Sequence, residues 1–513
     1  MVSWSGGYVL DIPYTSGFYR EVSPTHLNFA VLAAGMRPPE LRPGSTYCEL
    51  ACGQGFGTAL LAAANPKMEF YGYDFNPAQI ANAKTLAERS GLKNVQFDDL
   101  SFEQLLEVEG SALPKFDYVV LHGIYSWISP DNRRAIVRFL DQRVKPGGIV
   151  YVSYNCLPGW ASAAPMQRLI REHAQRHPDR SDLQAKAAIE YLQNLKKGGA
   201  LYFSQNPALD SRLEKLPSLN ANYLAHEYLN GSWFPMYHLD VAEEMEAARL
   251  TYVSSATLME NVDVASVPAG LHEMLRSTRD RAWQETVRDF AANRQFRRDI
   301  FVRGPNALSK ADLGDLLGTV RMSLLAPRSS ISLKFQGPLG EISAQAAVYE
   351  PLLNALETGP KTIAELVSLS ADAQQAISAT VQALTILAGA GHVHAMLPVE
   401  LIDTAVTRRF NATQADLAKR GTPAGFLALG NVGTGMTVVY TDFLALSLLG
   451  KGTNFDPGRI AEQAWQVMQG SGQRLTHEGK VVETAEESIA QLTAQFSDLK
   501  DKRLPLYRLL GAW

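Results

Sequence analysis

The sequence predicts an α/β fold: a doubly wound parallel sheet near the N-terminus, a helical insertion, and a C-terminal, winged-helix-like, mostly helical accessory region. Three observations predict it. Between residues 45 and 155 short β-rich runs alternate with amphipathic helical runs, the pattern of a parallel sheet covered on both faces. The segment "ELACGQGFGTALLAA", residues 49–63, places a glycine-rich loop between an apolar run and an Ala/Leu-rich helical run. The alternation then stops, and from 161 to about 230 the chain carries Lys, Arg, Glu and Gln on one helical side and Leu, Ile and Tyr on the other.

Taken in order, residues 1–44 form an N-terminal arm or lid. The core, 45–160, has candidate strands "TYCELAC", "MEFYGYDF", "NVQFDDL", "FDYVVLHG" and "GIVYVSYN". Between them lie "TALLAAAN", "AQIANAKTLAERSG", "SFEQLLEV" and "DNRRAIVRFLDQRV", whose polar or proline starts and Gly or Asn stops are helix punctuation. Residues 161–230 read as the helical insertion. Residues 231–265 return to complete the sheet, with "DVAEEMEAARL" a helix opened by Asp240 and "TYVSSATLM" a strand. Residues 266–330 read as a helical connector in which "WQETVRDFAANRQFRRDIFVRG" is a basic amphipathic helix, leading to a β-rich passage near "SSISLKFQG". Residues 331–400 resemble a winged helix, and 401–513 form a C-terminal helical region. A DNA-reading helix needs Arg or Lys toward phosphates and bases, yet residues 362–407 contain neither. The expectation is a protein-contact module and no specific nucleic acid.

Composition sets the outer bounds. The 513 residues suggest about three domains, and a net charge of −4 argues against general capture of nucleic acid. Cys48, Cys52 and Cys156 are too few for a disulfide framework, which points to a reducing compartment and a cytoplasmic protein. The start "MVSWSGGYVLDIPY" lacks basic and apolar signal regions. The most apolar later stretch, 427–450, is broken by Asn431, Asp442 and glycines, so no membrane insertion is expected. The inserted helices leave room for a homodimer.

The glycine loop then raises the question of its ligand. A dinucleotide fold reads G-x-G-x-x-G and offers a helix N-terminus to a pyrophosphate. Here Gly53, Gly55 and Gly57 are spaced G-x-G-x-G, and Glu49 stands in the preceding strand. That acid repels a pyrophosphate and suits a cation. Asp74, ending the second strand in "YGYDFNP", sits where a carboxylate accepts both ribose hydroxyls. A ligand with adenine, ribose and a cationic amino-acid end satisfies both acids, and S-adenosylmethionine is such a ligand.

On these residues, 45–155 resembles a class I S-adenosylmethionine-dependent methyltransferase with a Rossmann-like core. The resemblance implies that Glu49 lies near the methionine amino end, that the glycines let the backbone approach, and that Asp74 holds the ribose. The expected cofactor set is Glu49, Ala51, Gly53, Gly55, Gly57, Asp74, Phe75, Ser101, Phe102, His122 and Gly123. The third strand usually ends in an Asp for the adenine amino group, where "FDDLSFEQ" places Ser101; Asp98, Asp99 or the backbone at Ser101 and Phe102 remain as alternatives. The Asn/Asp-Pro-Pro-Tyr/Phe motif of adenine and glutamine methyltransferases is replaced by "LHGIYSWISPDN", which largely excludes that class.

The acceptor is expected to meet aromatic walls: His122, Tyr125, Ser126 and Trp127 after the fourth strand, Tyr154, Asn155 and Trp160 after the fifth, and Tyr14, Phe18 and Tyr19 from the arm. Tyr125, Trp127 and Tyr154 are expected to line a channel for an amine, since ring faces hold a methylated ammonium. His122 as general base is weighed against a structural hydrogen-bonding role. Cys48 and Cys52 read as packing, and His226, Glu227, His238 and Asp240 lack metal-ligand spacing. The stretch "HEYLNGSWFPMYHLDVAEEMEAARLTYVSSATLMENVD" with "FAANRQFRRDIFVRG" resembles a methyltransferase regulatory domain. With "YTSGFYREVSPTHL", "HGIYSW" and "SYNCLPGW" it is similar to rickettsial-type protein-lysine methyltransferases. The resemblance implies a lysine-containing protein substrate. A small-molecule or glycan methyltransferase and a non-catalytic cofactor-binding scaffold stand as alternatives.

Overall fold

A computed structural model describes residues 7–12, 17–108, 113–369, 373–421, 425–449, 455–477 and 480–513. The arm ends in α1 (Pro24–Ala33), and the core alternates β1 (Thr46–Leu50), α2 (Phe56–Ala64), β2 (Glu69–Tyr73), α3 (Pro77–Arg89), β3 (Val95–Asp98), α4 (Phe102–Glu107), β4 (Phe116–Leu121), α5 (Pro130–Arg143) and β5 (Val144–Asn155). Local chemistry starts these helices. Asn76 caps α3 ahead of Pro77, Ser101 and Gln104 form a reciprocal capping box on α4, and Ser129 caps α5 ahead of Pro130. Each supplies an acceptor to backbone N–H groups that the helix itself leaves unpaired.

Next come the insertion helices α6 (Ala164–Arg176), α7 (Ser181–Lys197), α8 (Leu201–Ser204), α9 (Asp210–Lys215) and α10 (Ala221–Tyr228). They share a small core of their own, with Met166, Ile170, Leu192 and Leu224 packed under Trp160. The chain re-enters the sheet through α11 (His238–Glu246), β6 (Leu250–Ser255), α12 (Asp263–Ser266), α13 (His272–Ser277), α14 (Arg281–Ala292) and β7 (Phe296–Arg303). The seven-stranded order is β3-β2-β1-β4-β5-β7-β6. β1 to β5 pair in parallel, and β7 runs antiparallel to both β5 and β6.

Three expectations change here. The return to the sheet does not end at 265: β6 is only the edge strand, and β7, inside the stretch expected as a helical connector, lies between β5 and β6. The single helix expected over "WQETVRDFAANRQFRRDIFVRG" is instead α14 followed by β7. Asn293 stops the helix at φ +45°, a left-handed conformation in which Asn is among the tolerated residues. α11 also begins at His238, two residues before the expected opening at Asp240.

Beyond the sheet follow α15 (Lys310–Thr319), β8 (Arg321–Leu324), the hairpin β9 (Lys334–Gly337) and β10 (Gly340–Ser343), α16 (Ala346–Glu357), β11 (Lys361–Thr362), α17 (Ile363–Val367), α18 (Ala373–Gly389) and β12 (Val393–Ala395). β8 is the middle strand of an antiparallel β11-β8-β12 sheet, so a boundary at 330 would cut this unit from its central strand. The last region opens with α19 (Thr404–Lys419) and the hairpin β13 (Phe426–Leu429) and β14 (Thr434–Thr437), then four more helices around a separate core. α19, β13 and β14 pack on α2. That explains why "TALLAAA" is apolar all round, since Thr58 to Ala64 are buried on every side. Among the described residues no helix is long and apolar enough to cross a membrane.

Candidate functional site

β1 delivers Glu49 to the carboxyl edge of the sheet, beside the crossover where β1 has β2 on one side and β4 on the other, the position where open α/β sheets bind ligands. A cavity of about 1110 Å³ opens there. Its first wall is the glycine loop. Ala51, Gly53 and Gly55 all hold positive φ, at +57°, +56° and +68°, which turns the backbone sharply out of β1 and into α2. At Gly55 a Cβ would stand 2.5 Å from Ala83 Cβ and 2.8 Å from Phe97 Cε1, so no side chain fits. Gly53 donates its N–H to Asp74 Oδ2 at 3.0 Å, and Asp74 Oδ1 accepts from Asn76 N at 2.9 Å.

Two acids therefore face one cavity. Burial pushes Glu49 up to about 7; the Thr58 hydroxyl, donating to a carboxylate oxygen, opposes that shift and the charge of Asp74 adds to it. Burial likewise raises Asp74 from the usual range, against the two backbone N–H groups that hold it down. An ionised acid so buried needs a partner, and a cationic, ribose-bearing ligand supplies one for each carboxylate. The cradle, the two acids and the open volume fit S-adenosylmethionine.

Ten of the eleven expected cofactor residues line this cavity, Glu49, Ala51, Gly53, Gly57, Asp74, Phe75, Ser101, Phe102, His122 and Gly123, while Gly55 lies behind them packed on α3. Tyr8 of the arm lies over Phe75, ring centroids 5.4 Å apart. Of the alternatives for the adenine end, Asp98 pairs instead with Lys84 at 3.3 Å and neither it nor Asp99 reaches the cavity, whereas Ser101 and Phe102 do. The Ser101 hydroxyl is engaged in capping α4, where it accepts from Gln104 N at 3.2 Å.

The acceptor half departs from expectation. His122, Trp127, Asn155 and Tyr19 line the cavity, and Tyr14 lies outside the described residues. Tyr125 and Tyr154 do not line it, so the channel of Tyr125, Trp127 and Tyr154 is not formed. Tyr125 is fully buried and donates to Glu244 of α11. Tyr154, on β5, is buried against β7, where its hydroxyl donates to Asp299 Oδ2 at 2.5 Å. The reason is strand alternation: successive side chains of β5 point to opposite faces, and Asn155, not Tyr154, faces the ligand side.

His122 contacts the Tyr151 hydroxyl through Nδ1 at 2.9 Å and stacks on Tyr19, centroids 4.0 Å apart. Burial, aided by the Arg298 charge, lowers it to about 3, so it is a neutral ring at neutral pH. Trp127 Nε1 and Asn155 Nδ2 are buried without a hydrogen-bond partner among the described residues, donors that a ligand's acceptor atoms would satisfy. Trp160 and Phe18, expected from "SYNCLPGW" and the arm, line the cavity as well, whereas the other residues of this half were not singled out from the sequence. β7 brings Phe296 and Arg298, α9 brings Arg212, and α10 brings Tyr223 and Glu227. Glu227 was weighed only as a metal ligand together with His226, His238 and Asp240. His238 instead lies in the buried Asp299 network at 2.9 Å, and no metal-holding group of His, Cys, Asp or Glu occurs among the described residues.

Comparison with known proteins follows this division of the site. Residues 41–239 match a family described as "Methyltransferase domain", and residues 220–303 match "Predicted methyltransferase regulatory domain". The second span holds α10 and β7, which supply Tyr223, Glu227, Phe296 and Arg298 to the acceptor half. The chain is 41% identical to the uncharacterized protein sll1526 of Synechocystis over 512 residues, 99% of this chain and 100% of that one. It is 27% identical to the uncharacterized protein RP789 of Rickettsia prowazekii over 56% of this chain and 51% of that protein. Among solved structures, PKMT2 from Rickettsia typhi in complex with AdoHcy superposes with a TM-score of 0.71 at 19% identity, over 98% of this chain and 99% of that one. The chain thus belongs to the class I S-adenosylmethionine-dependent methyltransferases that carry a methyltransferase regulatory domain, and S-adenosylmethionine is its cofactor.

Proposed function

We propose that the protein transfers the methyl group of S-adenosylmethionine to lysine side-chain amines of a protein substrate. The observation that carries this reading is the wall of the acceptor half: Tyr19, Trp127, Trp160, Tyr223 and Phe296 surround it, with Tyr19 46% and Tyr223 36% exposed at its mouth. Methyl transfer from a sulfonium is a displacement in which positioning and exclusion of water supply most of the catalysis. An exposed lysine, with a pKa near 10.4, must lose its proton first, and an apolar enclosure disfavours its charged form. Ring faces then hold the methylated cation by about 0.5–2 kcal/mol each. The similarity of the quoted segments to rickettsial-type protein-lysine methyltransferases, and the whole-chain fold match to PKMT2, point the same way.

The test is incubation of the purified chain with isotope-labelled S-adenosylmethionine and a bacterial lysate, resolved by size and followed by peptide mass spectrometry. Methyl increments on lysine are expected. Label confined to small molecules or sugar hydroxyls would replace this reading with a small-molecule or glycan methyltransferase, and no label at all with a cofactor-binding scaffold.

A further inference from the structure

The acceptor half contains one carboxylate that the cofactor does not need. Glu227, on α10, lines the cavity with Tyr223 of its own helix, and Tyr19 of the arm also feels its charge. Tyr19 in turn lies against His122, which follows β4, ring centroids 4.0 Å apart, so the arm ring lies between the charge of Glu227 and the sheet edge's histidine as a shared neighbour of both. It has no hydrogen bond and no ion pair among the described residues. The nearest cation, Arg212, reaches Glu227 only through its charge: its guanidinium lies 3.9 Å from the centroid of Trp160, and its Nη2 donates to Gln295 Oε1 at 2.6 Å.

An enclosed carboxylate without a partner is costly unless a ligand completes it. The surroundings choose the ligand. An anion or a second acid would meet like charge, a sugar hydroxyl would leave the charge uncompensated, and an ammonium would satisfy both the acid and the aromatic faces of Trp160, Tyr19 and Tyr223. We propose that Glu227 is the catalytic residue of the acceptor half, drawing a substrate ammonium between the aromatic rings and taking its proton before methyl transfer. This rests on the lysine reading above.

The step balances as follows. One ammonium proton moves to a Glu227 oxygen, and the freed nitrogen lone pair forms the bond to the methyl carbon. The carbon–sulfur bond breaks with its electron pair going to sulfur, leaving a neutral thioether and a methylated ammonium. Glu227 then returns its proton to water as the product leaves. Burial raises Glu227 to about 7, partly opposed by the charge of Arg212. The same enclosure lowers an amine, so the two groups approach each other in proton affinity. The titratable and charged groups facing Glu227 are Arg212 from α9, Tyr223 and Tyr228 from α10 and Tyr19 from the arm; all three tyrosines have their pKa values raised, so within this group Glu227 is the one that titrates near neutrality, as Glu49 does at the cofactor end.

The test uses the full chain saturated with S-adenosylhomocysteine and two blocked peptides, one with lysine and one with norleucine in its place. Glu227→Gln is expected to weaken lysine-peptide binding by about ten-fold or more while leaving norleucine-peptide and S-adenosylmethionine affinity unchanged, with Glu227→Asp in between. In turnover with S-adenosylmethionine saturating at every pH, where the cofactor's charge keeps Glu49 ionised, the rise of kcat/KM for the peptide through about pH 7 is expected in the wild type, where Glu227 ionises, and absent from the Gln variant. Unchanged cofactor affinity certifies that each variant is folded. Equal lysine-peptide binding in wild type and Gln variant, or a retained pH limb, overturns the assignment of Glu227 while lysine methylation in the lysate experiment stands. Methyl groups found only on hydroxyls would instead remove the lysine reading and the role of Glu227 with it.

Discussion

Glu49 and Asp74 are held at the carboxyl ends of the neighbouring strands β1 and β2, and only one of them is set up to change its proton with the cofactor. Asp74 keeps two backbone N–H partners whether or not a ligand is present. Glu49 has the hydroxyl of Thr58 and little else, and burial holds it at about 7. A carboxyl raised above its unfolded value is protonated in the cofactor-free fold below about pH 7, so its contribution to stability is lost as pH climbs from the unfolded carboxylate range toward that value. A cationic amino-acid end beside Glu49 reverses the shift. Binding of S-adenosylmethionine at about pH 6 is therefore expected to release a proton, and affinity to rise with pH up to about 8. Calorimetry in buffers of different ionisation enthalpy reads this directly. The apparent enthalpies should differ between buffers at about pH 6 and converge at about pH 8, and Glu49→Gln should abolish the difference. Identical enthalpies in the wild type at the lower pH would separate Glu49 from the cofactor's charge.

At the scale of elements, β7 shows where sequence reading succeeds and where it stops. β1 to β5 are legible because their faces are buried under helices and their residues are apolar runs between glycine and proline stops. "FRRDIFVR" carries Arg297, Arg298, Asp299 and Arg303 within eight residues, which reads as the polar side of a helix. It is a central strand because the charges are neutralised inside. Arg297, fully buried, donates to Asp299, Asp289 and Glu285 at 2.8, 2.5 and 2.9 Å, and Tyr154 donates to Asp299 from β5. Such pairing between α14, β5 and β7 is invisible in a single sequence, and so is the acceptor half, whose residues come from segments far apart in the chain. The glycine loop was legible because its spacing is local. Removing one partner of a buried ion network costs about 3–5 kcal/mol, so Arg297→Ala is expected to lose that much in urea unfolding. Tyr154→Phe removes one donor to Asp299 and should cost about 1–3 kcal/mol with S-adenosylmethionine affinity intact, since its ring lies outside the cavity. A Tyr154→Phe variant of native stability and impaired cofactor binding would contradict this placement.

Across the whole molecule, the C-terminal region forms the back of the site without lining its cavity. α2 starts in the glycine loop, and its outer face is covered by α19 and the β13–β14 hairpin, with Thr407 donating to Ala63 O at 2.8 Å. The same hairpin holds the arm: Ser23 and Thr434 share a buried hydroxyl contact at 2.5 Å, and Thr25 donates to Val432 O at 3.0 Å. Gly435 sits where these two jobs meet. A Cβ there would lie 2.7 Å from Leu60 Cδ2 on α2 and 2.9 Å from Phe18 Cε1 on the arm, closer than packed carbons approach. Phe18 adjoins Tyr19, whose ring covers His122. Gly435→Leu must therefore push the arm and α2 apart, and overpacking of this kind costs about 1–3 kcal/mol. The expected result is a folded protein with a lower melting temperature, weaker S-adenosylmethionine binding by calorimetry, and reduced turnover, from a substitution in a hairpin that does not line the cofactor half of the cavity. A bulky surface change on the same region, Val481→Leu, is the control and should alter none of these, because Val481 is 43% exposed. If Gly435→Leu lowers stability while cofactor affinity and turnover stay at wild-type levels, the C-terminal region supports the fold alone and does not set the position of the arm at Phe18 and Tyr19.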